Sequence, residues 1–211
     1  MRTFAQFWTL RIARFSFTGV VVFMMTLMPK FASGDVITFV NQSGPNEAPF
    51  VSETEGQFTV AATTGFWEQG QVFGNPVPSI ILGPVLSPVP SSITITSAAG
   101  LFTWSGLDFS SNNGSTAYDI TGFFGIAQRF DETGTFTNSG PAFHFNTLLG
   151  TDSGLGIDRL VISLAPLSGT TSANLDNIVV NAAVPETGNR LLLAIGLVAL
   201  ICYRKLLTDA R

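Results

Sequence analysis

The chain has 211 residues, 45% of them hydrophobic, with 21 glycines, 11 prolines and a formal net charge of −4. The charge is unevenly spread: Asp35 to Asn181 holds twelve carboxylates against two cations, Arg129 and Arg159, a net of −10, while the other basic residues lie toward the ends. A surface that acidic repels phosphate backbones and excludes nucleic acid as a partner, and a single cysteine, Cys202, excludes a disulfide framework.

In chain order, Arg2, Arg11 and Arg14 come first, followed by an apolar stretch from Phe15 to Met28 and small residues at Ala32 and Gly34. A basic, then apolar, then small-residue order is that of a secretory signal peptide over residues 1–34, with the mature chain starting near Asp35. The alternative is an uncleaved anchor. Residues 35–181 are enough for one domain with a sizeable core. They hold short β-rich runs separated by turn chemistry and no convincing helix. Several runs alternate with period two, as half-buried antiparallel strands do: Ile93 and Ile95, Phe102 and Trp104, Phe143 and Phe145, then Leu160, Ile162 and Leu164. The expected fold is all-β, a single antiparallel sandwich of jelly-roll-like type with nine short strands.

Residues 69–92, "QGQVFGNPVPSIILGPVLSPVPSS", carry five of the prolines. Proline cannot donate to a ladder, so this reads as a long loop across an edge or end, with Ile80 to Leu82 at most a short edge strand. Asn113 and Gly114 in "SSNNGS" accept the positive φ of a hairpin turn, and Asp131 to Gly134, "DETG", reads as a second turn. That places Asp131 and Glu132 in solvent.

Candidate chemistry is sparse. His144 alternates with Phe143 and Phe145, which puts it on the solvent side of a strand; with no nucleophile elbow and no Cys in the domain, no catalytic site is expected. Trp67, Trp104 and Tyr118 either stack on sugars or fill the core. Asp176 opens "LDNIVV", where plain alternation puts it on one face with Ile178 and Val180. A carboxylate there needs a partner, and backbone N–H groups of a neighbouring turn would serve.

The C-terminal segment, residues 182–211, has three parts. Val184, Pro185, Glu186, Thr187 and Gly188 form a polar tag. Leu191 to Cys202 contains only apolar residues and Gly196, and Arg204 and Lys205 close the run. Twelve helical residues span about 18 Å, short of the roughly 30 Å hydrocarbon core of a bilayer, and that length also suits a buried core helix. Flanking cations snorkel and extend the usable span toward Leu207, so 191–207 reads as a transmembrane segment held by Arg204 and Lys205.

This tail resembles the PEP-CTERM class of bacterial sorting signals, in the variant reading Val-Pro-Asp-Ser/Thr-Gly, with Glu186 in place of the Asp. The resemblance implies processing by an exosortase, a membrane-embedded cysteine transpeptidase, and delivery to the cell surface or exopolysaccharide matrix. "VPETG" also differs by one residue from the Leu-Pro-x-Thr-Gly signal of Gram-positive sortases. "TSANLDNIVV" and "FTWSGLDFSSNN" are similar to strands of the sandwich that accompanies such tails. Related carbohydrate-binding modules place Ca²⁺ against an Asp at the position of Asp176, so the resemblance implies structural calcium there; the usual second acidic ligand would end the first strand, where this chain has Val40 and Asn41. Three functions follow from these readings: an exosortase-sorted structural or adhesive surface protein, a carbohydrate-binding module on the same anchor, or a secreted hydrolase. Exopolysaccharide or another glycan is the expected non-protein partner besides the membrane.

Overall fold

The computed structural model describes residues 34–137, 144–152 and 154–182, together with Gly196 and Leu200, both helical. Ala32–Ala183 form one compact unit, separate from Met1–Phe31 and Val184–Arg211. Among the described residues no helix is long and apolar enough to cross a membrane. The expected leader and sorting tag, with Arg204 and Lys205, lie outside the described residues, as do all but two positions of the expected span.

Among the described residues twelve strands make two antiparallel sheets of six. Their order along the chain is β1 (Asp35–Ile37), β2 (Ser52–Glu55), β3 (Phe58–Thr64), β4 (Trp67–Gly70), β5 (Ser79–Leu82) and β6 (Ser91–Ser97). There follow β7 (Phe102–Asn112), β8 (Thr116–Phe124), β9 (Ala127–Phe136), β10 (Asn146–Leu149), β11 (Arg159–Pro166) and β12 (Ser172–Ala182). The first sheet runs β10-β7-β12-β5-β4, with β1 also paired to β12; the second runs β2-β3-β6-β11-β8-β9.

The sheets pack face to face through the alternating residues that apolar burial drives inward. Ile93, Ile95, Leu160, Ile162, Leu164 and Ile120 come from the second sheet, and Phe102, Trp104, Leu107, Leu175, Ile178 and Val180 from the first; all are buried. Ring contacts cross between the layers, Phe58 edge-on to Phe102 at 5.5 Å and Trp104 stacked with Phe130 at 6.1 Å.

Three expectations are corrected. First, β5 is no edge strand: it lies between β12 and β4, with Ile80 opposite Leu175 and Gln69, and all four of its residues are buried. Pro76, Pro78 and Pro84 flank the strand rather than interrupt it, so its own N–H groups remain available on both sides. Second, Asp131 to Gly134 lie inside β9, paired with Tyr118 to Thr121. The β8–β9 turn comes earlier, at Gly125, whose φ is +59°. Gly134 is there for room: a Cβ would stand 2.4 Å from the Tyr118 hydroxyl. Third, the described residues hold twelve strands where nine were expected, because the short polar runs of β2 and β4 carry no period-two apolar signal. The Asn113 turn is present, with φ +58° at Asn113; Gly114 does not share the positive φ.

The two edge strands of the second sheet turn carboxylates inward, a device that blunts edge-to-edge pairing. Glu55 of β2 accepts the N–H of Thr38 at 2.8 Å and of Phe39 at 3.1 Å, and Glu53 accepts that of Asn41 at 2.8 Å. On β9, Glu132 accepts the N–H of Thr151 at 2.8 Å and of Asp152 at 3.0 Å. Glu132 is therefore a bridge between chain segments, not a solvated turn residue.

Candidate functional site on the outer face of the first sheet

The outer face of the first sheet is built from polar side chains on adjacent strands. Ser172, Asn174 and Asp176 of β12 lie opposite Asn112, Ser110 and Asp108 of β7. Thr147 of β10 lies opposite Asp108 and donates to it at 2.6 Å, and Asn174 donates to Ser79 of β5 at 3.1 Å.

Asp176 reaches this face because β12 is irregular. The pairing with β7 shifts register between Asp176 and Val179, and Asn177 has φ +44°. An inserted residue reverses the alternation on either side of it. Ala173 and Leu175 face the core before the bulge, and Ile178 and Val180 after it. Plain alternation put Asp176 with Ile178 and Val180; the bulge puts it with Asn174 instead.

Asp176 is fully buried, and both its oxygens are occupied. Oδ2 accepts the backbone N–H of Asn75 at 2.6 Å, and Oδ1 that of Asn177 at 2.7 Å. Of the two partners open to it in the sequence, the backbone N–H groups are present, one of them from the proline-rich stretch 101 residues away. Burial raises its pKa from 3.8 to about 6; the two N–H donors oppose that, while the Asp108 and Glu55 carboxylates add to it. The Asn177 side-chain amide donates to Asp108 at 2.8 Å and to the Asn75 carbonyl, and the Asn75 amide donates to Asp108 at 3.4 Å. Asp108, Asn177, Asn75 and Thr147 thus form one hydrogen-bonded cluster, half-exposed or exposed, over the buried Asp176.

These donors do not fit a calcium ion as they stand. Hard cations want several free oxygens, and here N–H and O–H groups occupy both Asp176 and Asp108. Among the described residues no group of three or more His, Cys, Asp or Glu side chains is placed to hold a metal. What the cluster offers is a planar carboxylate, two planar amides and a hydroxyl on one exposed patch. Its legible part was Asp176; Asp108, Asn75 and Asn177 had no sequence signal, because their meeting depends on a 101-residue separation and a bulge.

The other candidates fall elsewhere. Trp67 and Trp104 are buried, and their indole N–H groups donate to the carbonyls of Ser92 and Gly106. Tyr118 stacks on Phe136 at 4.5 Å and packs against the core. His144 is exposed just ahead of β10, and Phe143 lies outside the described residues.

No protein-family model matches the chain, and no curated protein does. Solved structures similar to it include a family 29 carbohydrate-binding module from Piromyces equi, at 12% identity over 71% of this chain and 89% of that one, with a TM-score of 0.41. TmCBM61 in complex with beta-1,4-galactotriose matches at 10% identity over 58% and 86%, with a TM-score of 0.37. The enzymatically active domain of tailspike protein 4 from bacteriophage CBA120 matches at 17% identity and a TM-score of 0.40, and the matched region spans only 19% of that chain. At these identities and scores the likeness carries no argument about a ligand.

Proposed function

We propose that this chain is an exported cell-surface or extracellular-matrix protein whose jelly-roll-like sandwich binds a glycan, held by a tail of the exosortase-sorted type. The observation that carries the glycan reading is the cluster of Asp108, Asn177, Asn75 and Thr147 on one accessible patch. With one bond accepted at its Oδ1, Asp108 keeps an acceptor position there. Such a carboxylate together with amide groups pairs with vicinal hydroxyls, while a domain with a net charge of −10 favours neutral over acidic polysaccharide. Glycan arrays on the Ala32–Ala183 unit test this: binding to neutral glycans is expected, and Asp108→Ala should abolish it. Retention of binding in that variant would remove the cluster from the site.

A second reading, a structural or adhesive module without a sugar site, is favoured by the burial of Trp67 and Trp104, which leaves neither indole as a stacking platform. Arrays blank for wild type would select it. The tail is tested separately. A proline disfavours helix at the residue before it, which is the property a processing enzyme that reads an extended tag would need of Pro185. Pro185→Ala should leave export intact but yield a full-length membrane form, read as the mass of the surface protein. A wild-type protein that keeps its terminal Arg211 at the surface would end the sorting reading.

A further inference from the structure

The sandwich has two dissimilar ends. At one, Asp35 pairs with Val180 and Ala182 with Phe102, so the chain enters and leaves there. Phe102 exchanges backbone hydrogen bonds with Ile157, both at 2.8 Å, and Asp158 donates its N–H to the Phe123 carbonyl at 2.9 Å. Gly125, at the β8–β9 tip, donates to the Asp158 carboxylate at 2.7 Å. This continuous path places the hairpin tip "FFGI", Phe123 to Ile126, at the end where both exits lie. The opposite end carries the Asn113 turn and the β11–β12 turn, joined by the Leu167 N–H to Ser115 carbonyl bond at 2.9 Å.

The tip is apolar and unburied. Ile126 is 101% exposed and Phe124 51%, and Leu101, in the neighbouring β6–β7 turn, is 39% exposed. Exposed single apolar residues are ordinary, but a hairpin presenting two large ones at its apex is not. The charge distribution singles out the same place. Arg129 is exposed on β9 just past the tip, and Arg159 lies over the Phe123 ring at 4.4 Å; these are the only two cations between Asp35 and Asn181. Two carboxylates at this end are engaged, Asp158 by Gly125 and Asp35 by Gln57, while Asp131 is exposed two residues past Arg129 on β9. From Ala182 to the apolar run at Leu191 the chain reaches at most about 30 Å, at roughly 3.3–3.6 Å per residue.

We infer that the β8–β9 tip is a lipid-docking element: Phe124 and Ile126 enter the interfacial layer of a bilayer while Arg129 and Arg159 sit at the level of its phosphates. Apolar insertion flanked by arginine is the chemistry of interfacial membrane binding. Docking at this end directs the Asn113 end away from the lipid. The inference rests on the reading of 191–207 as a membrane-held tail, and the experiment separates the two.

The mature chain, from Asp35 onward and so without the apolar stretch of the expected leader, is reconstituted into phosphatidylcholine vesicles containing phosphatidylglycerol. An environment-sensitive fluorophore is attached through Ile126→Cys or, as a control at the far end, Ser168→Cys, each with Cys202→Ser. Carbonate-resistant flotation reports the tail; quenching by spin-labelled lipid reports the tip. The expected result is flotation of both proteins, with the Ile126 probe quenched and the Ser168 probe not. Adding Arg129→Gln should lower the docked-to-undocked ratio about fivefold, the worth of one cation at an anionic surface. A chain that floats with both probes in water overturns docking and leaves the tail standing. A chain stripped by carbonate overturns the tail and the docking together.

Discussion

β11 and β12 follow each other along the chain and read alike, yet they behave differently. In β11, Leu160, Ile162 and Leu164 point to the core and Arg159, Val161 and Ser163 away from it, without interruption in either ladder. In β12 the same alternation reverses at Asn177. A regular pleat carries sequence parity straight into burial, whereas one positive-φ residue cancels it and brings a carboxylate out of the core and under a loop. The regular strand serves the core; the irregular one builds the candidate site.

The strongest test of the regular half is a charge placed at each parity. Ile162→Asp should cost about 5 kcal/mol or more and leave the domain unfolded, because an unpaired carboxylate would enter the core. Val161→Asp, one residue away on the outer face, should cost about 1 kcal/mol. Urea melts of the pair check this; equal losses would mean that β11 is not alternating.

For the irregular half, pH is the sharper probe. The folded pKa of Asp176, about 6, lies above its ordinary 3.8, so the native chain binds more protons than the unfolded one between those values. Its contribution to stability therefore falls as pH rises from about 4 to 6 and stays low above that. Asp176→Asn removes the titration, so its stability relative to wild type should rise by about 2 kcal/mol from pH 4 to pH 7. A flat difference would place the carboxylate in water. Repeating the melts with chelator should leave wild type unmoved, and a chelator-induced drop would mean that a cation displaces the Asn75 and Asn177 N–H groups.

The bulge itself is probed by Asn177→Ala. It loses the amide bond to Asp108 and puts Ala at a left-handed φ, for about 2 kcal/mol in all. Asn177→Gly keeps the φ and should recover part of that loss. If Ala and Gly cost the same, backbone conformation plays no part in holding the bulge.

Local alternation accounts for the all-β class, the two-sheet layering and most of the core, because Ile93, Ile95, Leu160, Ile162 and Leu164 sit on strands whose burial follows it. Sequence also determined the acidity of the domain and the placing of its two arginines along the chain. Distant pairing settled the rest. β5 became a central strand because β12, some ninety residues later, supplies its partner. Glu132 became a bridge because β9 is an edge strand facing the segment at Thr151. Asp176 met Asn75 because a bulge changed the face on which it stands. Local periodicity registers the pleat of one strand; it carries no record of which strand lies alongside or where an extra residue breaks the register.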